Sequence, residues 1–390
     1  MSRRAIPSDA FVVALARLPQ VGPARLRSLL CVGEPSEVWE SLCRVSPSES
    51  TSQRSSVVGK LMADGLDRLS ETQRVGLIEL WGRAARSLDV STFWQAHLDA
   101  GIGVTVFGSP SFPPVFAADD DPPMVLFWKG DLDHLAGVRA ALVGTRRASR
   151  YGRDVAFELG RDLAAAGIAV VSGLALGIDG AAHSGALEAC AAPPIAVVGS
   201  GLDRIYPRAH AALWRRVADA GVIISEYPLG APAAAWQFPA RNRLIATLAD
   251  ALIVVESQHT GGAMGTAIEA TRRGGVVMAV PGPVTASSSD GTNQLLVDGC
   301  VPARDATDVL IALGRDSVPR RSATESRRPP SPEAAAVLEH IAWQAAPMEQ
   351  LLLATGLDLG VLALHIDALE AEGWVAQRAG WVERIGRSRS

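Results

Sequence analysis

The sequence predicts an α/β protein with a mostly parallel sheet, preceded by a helical region and followed by a small winged helix. Three observations carry that expectation. Six short apolar runs alternate with helical patterns, a glycine-bearing turn follows directly after five of them, and an Arg-, Ser- and Pro-rich break precedes the last segment. Runs spaced roughly 25 to 30 residues apart are the signature of βαβ units, whose right-handed crossovers generate a parallel sheet. Ligands of such sheets bind beyond the carboxyl ends of the strands.

In chain order, Phe11, Val12, Leu15 and Leu18 repeat at helical spacing, and Leu26, Leu29 and Leu30 follow the turn Pro19-Gln20-Val21-Gly22-Pro23. Two helices joined by such a turn can aim backbone N–H groups at a phosphate, and they serve an ordinary helical fold equally well. The Ser-rich stretch 44–60 is expected to be an exposed loop. Residues 104–107 and 124–128 are expected as edge strands, and 140–143, 168–172, 195–198, 222–225, 251–255 and 276–280 as the buried strands. A flexible linker is expected over 314–331. Helices are then predicted at 334–341, 348–355 and 359–372, with strands at 374–377 and 381–384 around Ala379-Gly380.

The chain of 390 residues suggests two or three domains. No apolar run approaches the roughly 20 residues of a membrane span, and Phe11 to Ala16 stops at Arg17, too short for a secretory core. A cytoplasmic protein is expected, with no membrane partner. Cys31, Cys43, Cys190 and Cys300 show neither CxxC spacing nor nearby histidines, which excludes a zinc motif or disulfide framework from the expectations. A net charge of −4 argues against coating nucleic acid through bulk charge, so local patches decide. Of the 37 basic residues only Lys60 and Lys129 are lysine, so cation chemistry here is guanidinium chemistry.

A turn that opens a helix offers unpaired N–H groups and the positive end of the helix dipole, a ready anion site. The first turn reads Gly144-Thr145-Arg146-Arg147, with Arg150 and Arg153 just beyond it. Cations are disfavoured in a helix's first turn, so this cluster points to an anionic partner. The second turn carries Ser172, Gly173 and Gly177, the third Gly199, and the fourth Gly261, Gly262 and Thr266. Arg241-Asn242-Arg243 opens another helix with two guanidiniums flanking an amide. Gly199-Ser200-Gly201 only begins a dinucleotide fingerprint, because Arg204 stands at its third glycine, so no NAD or other cofactor is expected. Asp179 and His183 share a helical face, and a capping or hydrogen-bonding role is expected for them rather than a metal. Glu226 and Glu256 follow strands, where they suit either a base or contacts to nearby arginines. No nucleophile elbow or Walker lysine occurs, so no catalytic set is expected. The enzymatic alternative is a nucleotide hydrolase of the phosphoribohydrolase type, with a GGxGTxxE turn. Gly261-Gly262 and Gly265-Thr266 with Glu269 approximate it, but one extra residue turns the helix by about 100° and re-aims Glu269.

The set Gly144-Thr145-Arg146-Arg147, the run 172–179, Ser225-Glu226-Tyr227-Pro228, Phe238-Pro239-Ala240-Arg241-Asn242-Arg243 and Gly291-Thr292-Asn293 resembles the DNA-processing protein A (DprA/Smf) family over residues 95–312. The resemblance implies an extended Rossmann-like fold that binds single-stranded DNA as a homodimer and delivers it to the RecA recombinase during natural transformation. It implies a helical SAM-like or helix-hairpin-helix domain over 1–88, the DNA-binding domain over 89–313 and the winged helix over 332–390. Carried over by position, Gly144, Thr145, Arg146, Ser172, Gly173 and Gly177 would line the phosphate pocket, with Arg241, Asn242 and Arg243 beside it. Between Tyr227 and Phe238, where members commonly carry basic or aromatic residues, only Trp236 remains to stack a base.

Overall fold

The computed structural model describes residues 6–45, 56–61, 66, 69–315, 329–341, 345–378 and 380–384. It divides into two compact units, Met1–Val318 and Pro319–Ser390. The first unit opens with six helices: α1 (Ser8–Ala16), α2 (Pro23–Cys31), α3 (Pro35–Cys43), α4 (Ser56–Lys60), α5 (Glu71–Ser87) and α6 (Val90–Asp99). Local chemistry sets their ends. Ser70 and Gln73 form a reciprocal capping box at the start of α5, and Asp89 accepts from the Thr92 N–H at 2.6 Å to open α6. The short α4 lies where a loop was expected, and residues 46–55 of that stretch lie outside the described residues.

The sheet follows with β1 (Gly103–Val106), α7 (Pro114–Ala117), β2 (Val125–Gly130), β3 (Arg139–Gly144), α8 (Arg150–Ala165), β4 (Ala169–Ser172), α9 (Ile178–Ala189) and β5 (Ile195–Val197). It continues through α10 (Ala211–Ala220), β6 (Val222–Ser225), α11 (Gln237–Leu248), β7 (Ala251–Glu256), α12 (Gly262–Arg272), β8 (Val276–Ala279), α13 (Asp290–Val297), β9 (Val301–Pro302) and α14 (Ala306–Ala312). The nine strands lie in the order β1-β2-β6-β5-β4-β3-β7-β8-β9, parallel from β6 to β9, with β1 and β2 antiparallel at one edge. The α/β class and the mostly parallel sheet agree with the sequence expectation. Alternation along the strands sends Val143, Val171, Val197 and Val254 to the face covered by α11 and α12, and Leu142, Val170 and Ile253 to the face covered by α8 and α9. Leu15, Leu29, Trp39 and Trp81 of the leading helices share one core with Phe127, Val198, Trp214 and Ile223.

Parallel pairing brings the turns after β3, β4, β5, β7 and β8 to one edge. The chain winds one way from β3 through β6 and then returns to place β7 on the other side of β3, which makes the β3/β7 boundary the switch point of the sheet. The register of β3 against β7 shifts between Val143 and Gly144 at that place.

The second unit contains α15 (Pro332–His340), β10 (Ala346–Pro347), α16 (Met348–Thr355), α17 (Leu359–Ala371), β11 (Val375–Arg378) and β12 (Trp381–Arg384). Its strands form a small antiparallel sheet in the order β10-β12-β11. Val337, Leu351, Leu362, Ile366, Leu369, Val375 and Val382 make its core. Gly356 ends α16 in the left-handed region at φ 67°, as a helix-stop glycine does. Of the expected linker, 316–328 lie outside the described residues, as does Ala379 in the expected hairpin turn.

Candidate functional site

The first turn is held by neighbours on both sides. The Thr145 N–H donates to the Glu256 carbonyl at 2.7 Å, the Thr145 carbonyl accepts from Ile178 at 3.3 Å, and its hydroxyl accepts from the Arg147 N–H at 3.2 Å. The opening of α8 is already filled by an anion of the protein's own. Glu256 Oε2 accepts from the Ser149 N–H at 2.9 Å and from its hydroxyl at 3.2 Å, and a Cβ at Gly152 would collide with that oxygen. A pyrophosphate seated at this helix start would meet a carboxylate.

The second turn repeats the arrangement. Asp179 Oδ2 accepts from the Gly173 N–H at 3.1 Å and the Ala175 N–H at 3.4 Å, a hydrogen-bonding role of the kind expected for it and not a helix cap. Gly177 sits at φ 79°, and a Cβ there would strike the Thr145 carbonyl, so only glycine joins the two turns. Ser172 is buried and donates to the Leu142 carbonyl at 2.7 Å. His183 Nε2 lies 3.1 Å from the Ile195 carbonyl, and burial lowers its pKa to about 4, so the ring is neutral and donates that bond. Among the described residues no group of three His, Cys, Asp or Glu is placed to hold a metal ion.

The two guanidiniums of the 241–243 motif turn inward. Arg241 is buried, and its Nη1 donates to the Gly173 carbonyl at 3.0 Å and to that of Val197, tying the ends of β4 and β5 together. The guanidinium occupies the room a Cβ at Gly173 would need. Burial pushes the Asp179 carboxyl up and the Arg241 guanidinium down, and each charge offsets part of the other's cost. Arg243 is also buried, with Nη2 2.5 Å from Glu226 Oε1 and Nε 3.2 Å from Asp121. Arg27 of α2 pairs with the same Asp121, so a ladder of charges runs from the leading helices to the end of β6. Burial raises the Glu226 carboxyl to about 7 against the pull of Arg243. Glu226 is thus a structural partner of an arginine.

At the surface a different set comes together. Arg146 and Arg147 are exposed, and neither enters a salt bridge among the described residues. The Arg146 guanidinium carbon lies 4.4 Å from the centre of the Phe238 ring, and the Tyr206 ring stands 5.5 Å beyond it. Sequence reasoning missed Phe238 and Tyr206 as site residues, although Phe238 opens a motif it quoted; an aromatic in a helix's first turn at a ligand edge was the available signal. Asn242 is half-buried, with Nδ2 3.4 Å from the Gly262 carbonyl, so it joins the fourth turn to α11. Gly262 is exposed and Gly261 half-buried, and no side chain caps α12. Thr266, by contrast, lies on the buried face of this helix. Gly199 is buried, and the Gly201 N–H after it donates to the Ala231 carbonyl at 3.0 Å. Trp236 is 52% exposed, packs edge-on to Tyr227 and lies against Gly22 of the leading turn.

Glu269 of the hydrolase alternative is held by two cations, Arg273 at 2.5 Å and Arg272 at 3.3 Å. Arg273 also pairs with Asp119 at 2.7 Å. Burial opposes ionisation of Asp119, yet the Arg273 guanidinium, the Thr247 hydroxyl and the Asp121 N–H hold its pKa at about 2. A depressed carboxylate contributes stability that is present above its ordinary pKa of 3.8 and lost as pH falls through about 2. Asp119→Asn is therefore expected to cost about 1–3 kcal/mol near neutral pH by removing one of the two carboxylates that pair with Arg273. In thermal unfolding the gap from the wild type should close toward pH 2; a gap independent of pH would rule out ionisation as its source.

A sequence profile of the DNA recombination-mediator protein A family matches residues 103–314. The putative DNA processing protein DprA of Mycobacterium tuberculosis is 46% identical over 194 residues, 49% of this chain and 50% of that protein. The chain thus spans half the length of that relative. Protein Smf of Escherichia coli is 32% identical over 290 residues, 72% of this chain and 76% of that protein. The crystal structure of DNA processing protein A from Streptococcus pneumoniae aligns with a TM-score of 0.61 at 26% identity, covering 77% of this chain and 97% of that one. A structure of DNA processing protein A from Helicobacter pylori, described for its single-stranded DNA binding mode, aligns at 0.50 and 30% identity over 56% of this chain and 97% of that one.

Proposed function

The chain belongs to the DNA recombination-mediator protein A family, and from that premise we propose that it binds single-stranded DNA along the carboxyl edge of its parallel sheet, without reading sequence. The observation that carries this reading is the exposed Arg146 guanidinium over Phe238 at the switch point. A cation beside an aromatic pair suits a flexible polyanion whose bases are free to stack. Gly144, Thr145, Arg147, Asn242, Gly261 and Gly262 line the same edge and would follow the phosphates, while Ser172, Gly173, Gly177, Gly199, Arg241, Arg243 and Thr266 support that surface from within. Trp236 is the outlying base-stacking candidate.

The test is a titration of fluorescent oligonucleotides, single- and double-stranded, at several salt concentrations. Single strands are expected to bind more tightly. Arg146→Ala is expected to weaken every sequence alike, by about tenfold at low salt, and to lower the slope of log affinity against log salt by about 0.7. Equal affinity for duplex, or an unchanged slope in the variant, would overturn the assignment.

On the same reading the protein hands its strand to the RecA recombinase in the cytoplasm during natural transformation, supported by the family's description as recombination mediators. It does so as a homodimer, supported by the exposed Val297, Val301 and Ile311 at and near the edge strand β9. The second unit is a winged helix on this reading, supported by its three helices and antiparallel strand pair. Light scattering of the same samples, with and without RecA, tests both assemblies: a lone monomer that leaves RecA unshifted would refute them.

A further inference from the structure

We propose that the outward face of α17 is a docking seam for a basic amphipathic helix of a partner protein. The helix is apolar on two opposite sides. Leu362, Ile366 and Leu369 face the core of the second unit, as one stripe of an ordinary surface helix does. Val361, Leu364, Ala368 and Ala371 form a second stripe that is exposed, with Leu364 at 70%. Their spacing of three, four and three residues is the a/d repeat by which one helix seats against another. Solvent-facing helix positions are ordinarily charged or polar, so an a/d stripe turned to water is a surface in need of a cover.

Charge selects the cover. Asp367 and Glu372, exposed and half-buried, flank the stripe at the g and e positions of that repeat, whereas Glu370 turns away to accept from the Gln377 N–H at 2.9 Å, and the sequence holds no Lys or Arg anywhere between residues 329 and 377. Duplex DNA is repelled by such a surface, because binding to phosphates rests on cations. A second copy of α17 would bring carboxylate against carboxylate across the seam, which disfavours self-pairing. An anionic lipid surface meets the same repulsion. A helix with apolar residues at a and d and Lys or Arg beside them satisfies both features at once, the apolar seam supplying affinity and the charges supplying register and partner choice.

The test uses the full chain and two synthetic three-heptad peptides with Leu at a and d, one carrying Lys at e and g and the other Glu. Fluorescence anisotropy is expected to give binding of the Lys peptide, with the Glu peptide weaker by about tenfold or more. The double variant Val361→Gln with Leu364→Gln changes no charge and alters only exposed positions. It is expected to weaken the Lys peptide by about tenfold or more, since two buried apolar anchors are lost. Asp367→Asn with Glu372→Gln is expected to leave the seam intact and to narrow the difference between the two peptides. Equal binding of both peptides, or equal binding by wild type and the glutamine variant, would overturn the proposal. So would binding to phosphatidylglycerol vesicles, or self-association, that the glutamine variant loses.

Discussion

Arg241→Ala is expected to lower the unfolding free energy by about 3–5 kcal/mol, the cost of removing a buried cation that serves two backbone carbonyls and balances a buried carboxylate. The guanidinium bridges the carbonyls of Gly173 and Val197, and without it the ends of β4 and β5 lose their common donor. Asp179 is then left buried without the cation that most favours its charge, and the space beside Gly173 is empty. Arg241→Lys is expected to recover only part of the loss, because an ammonium lacks the planar fork that reaches two carbonyls. Denaturant unfolding measures both variants. An unchanged midpoint with lost DNA affinity would put the guanidinium on the strand instead of in the scaffold.

Phe238→Ala is expected to remove about 1–3 kcal/mol of single-strand affinity, roughly a fivefold to 150-fold loss, while leaving the salt slope nearly unchanged. Stacking releases no counterions, so the aromatic and the cation separate by salt dependence even though they touch. Their contact also means that Phe238→Ala and Arg146→Ala should not add, because removing the ring frees the guanidinium that it steadies. Binding curves over a salt series for both single variants and the double variant measure this. Full additivity, or an unaffected Phe238→Ala, would disprove a shared contact.

The strands were legible because burial on both faces leaves continuous apolar runs, and every expected sheet strand is observed within two residues of its expected ends. β9 and β10 span two residues each, too short to leave a pattern. The glycine turns were legible as a shared edge, but a sequence does not display the direction of a side chain. On α11, Arg241 falls on the stripe shared by Gln237, Leu244, Ile245 and Leu248, all buried. That periodicity already placed its side chain inward, and it was read for charge instead. Glu256 was hidden for another reason: a carboxylate that fills an N–H cradle from 107 residues away leaves no local trace. Phe238, in the first turn of α11, meets Tyr206 from the segment between β5 and α10, which spacing alone cannot reveal.

The resident carboxylates also bear on selectivity in a cell crowded with free nucleotides. A mononucleotide has one cluster of phosphates to place, and at this sheet edge two N–H cradles, those filled by Glu256 and Asp179, are taken. What remains on the surface is the exposed pair Arg146 and Arg147 with the turn at Gly261 and Gly262. On the proposed reading, a ligand long enough to span both sums their contacts and a monomer does not, so discrimination arises from polymer length rather than from the shape of a pocket.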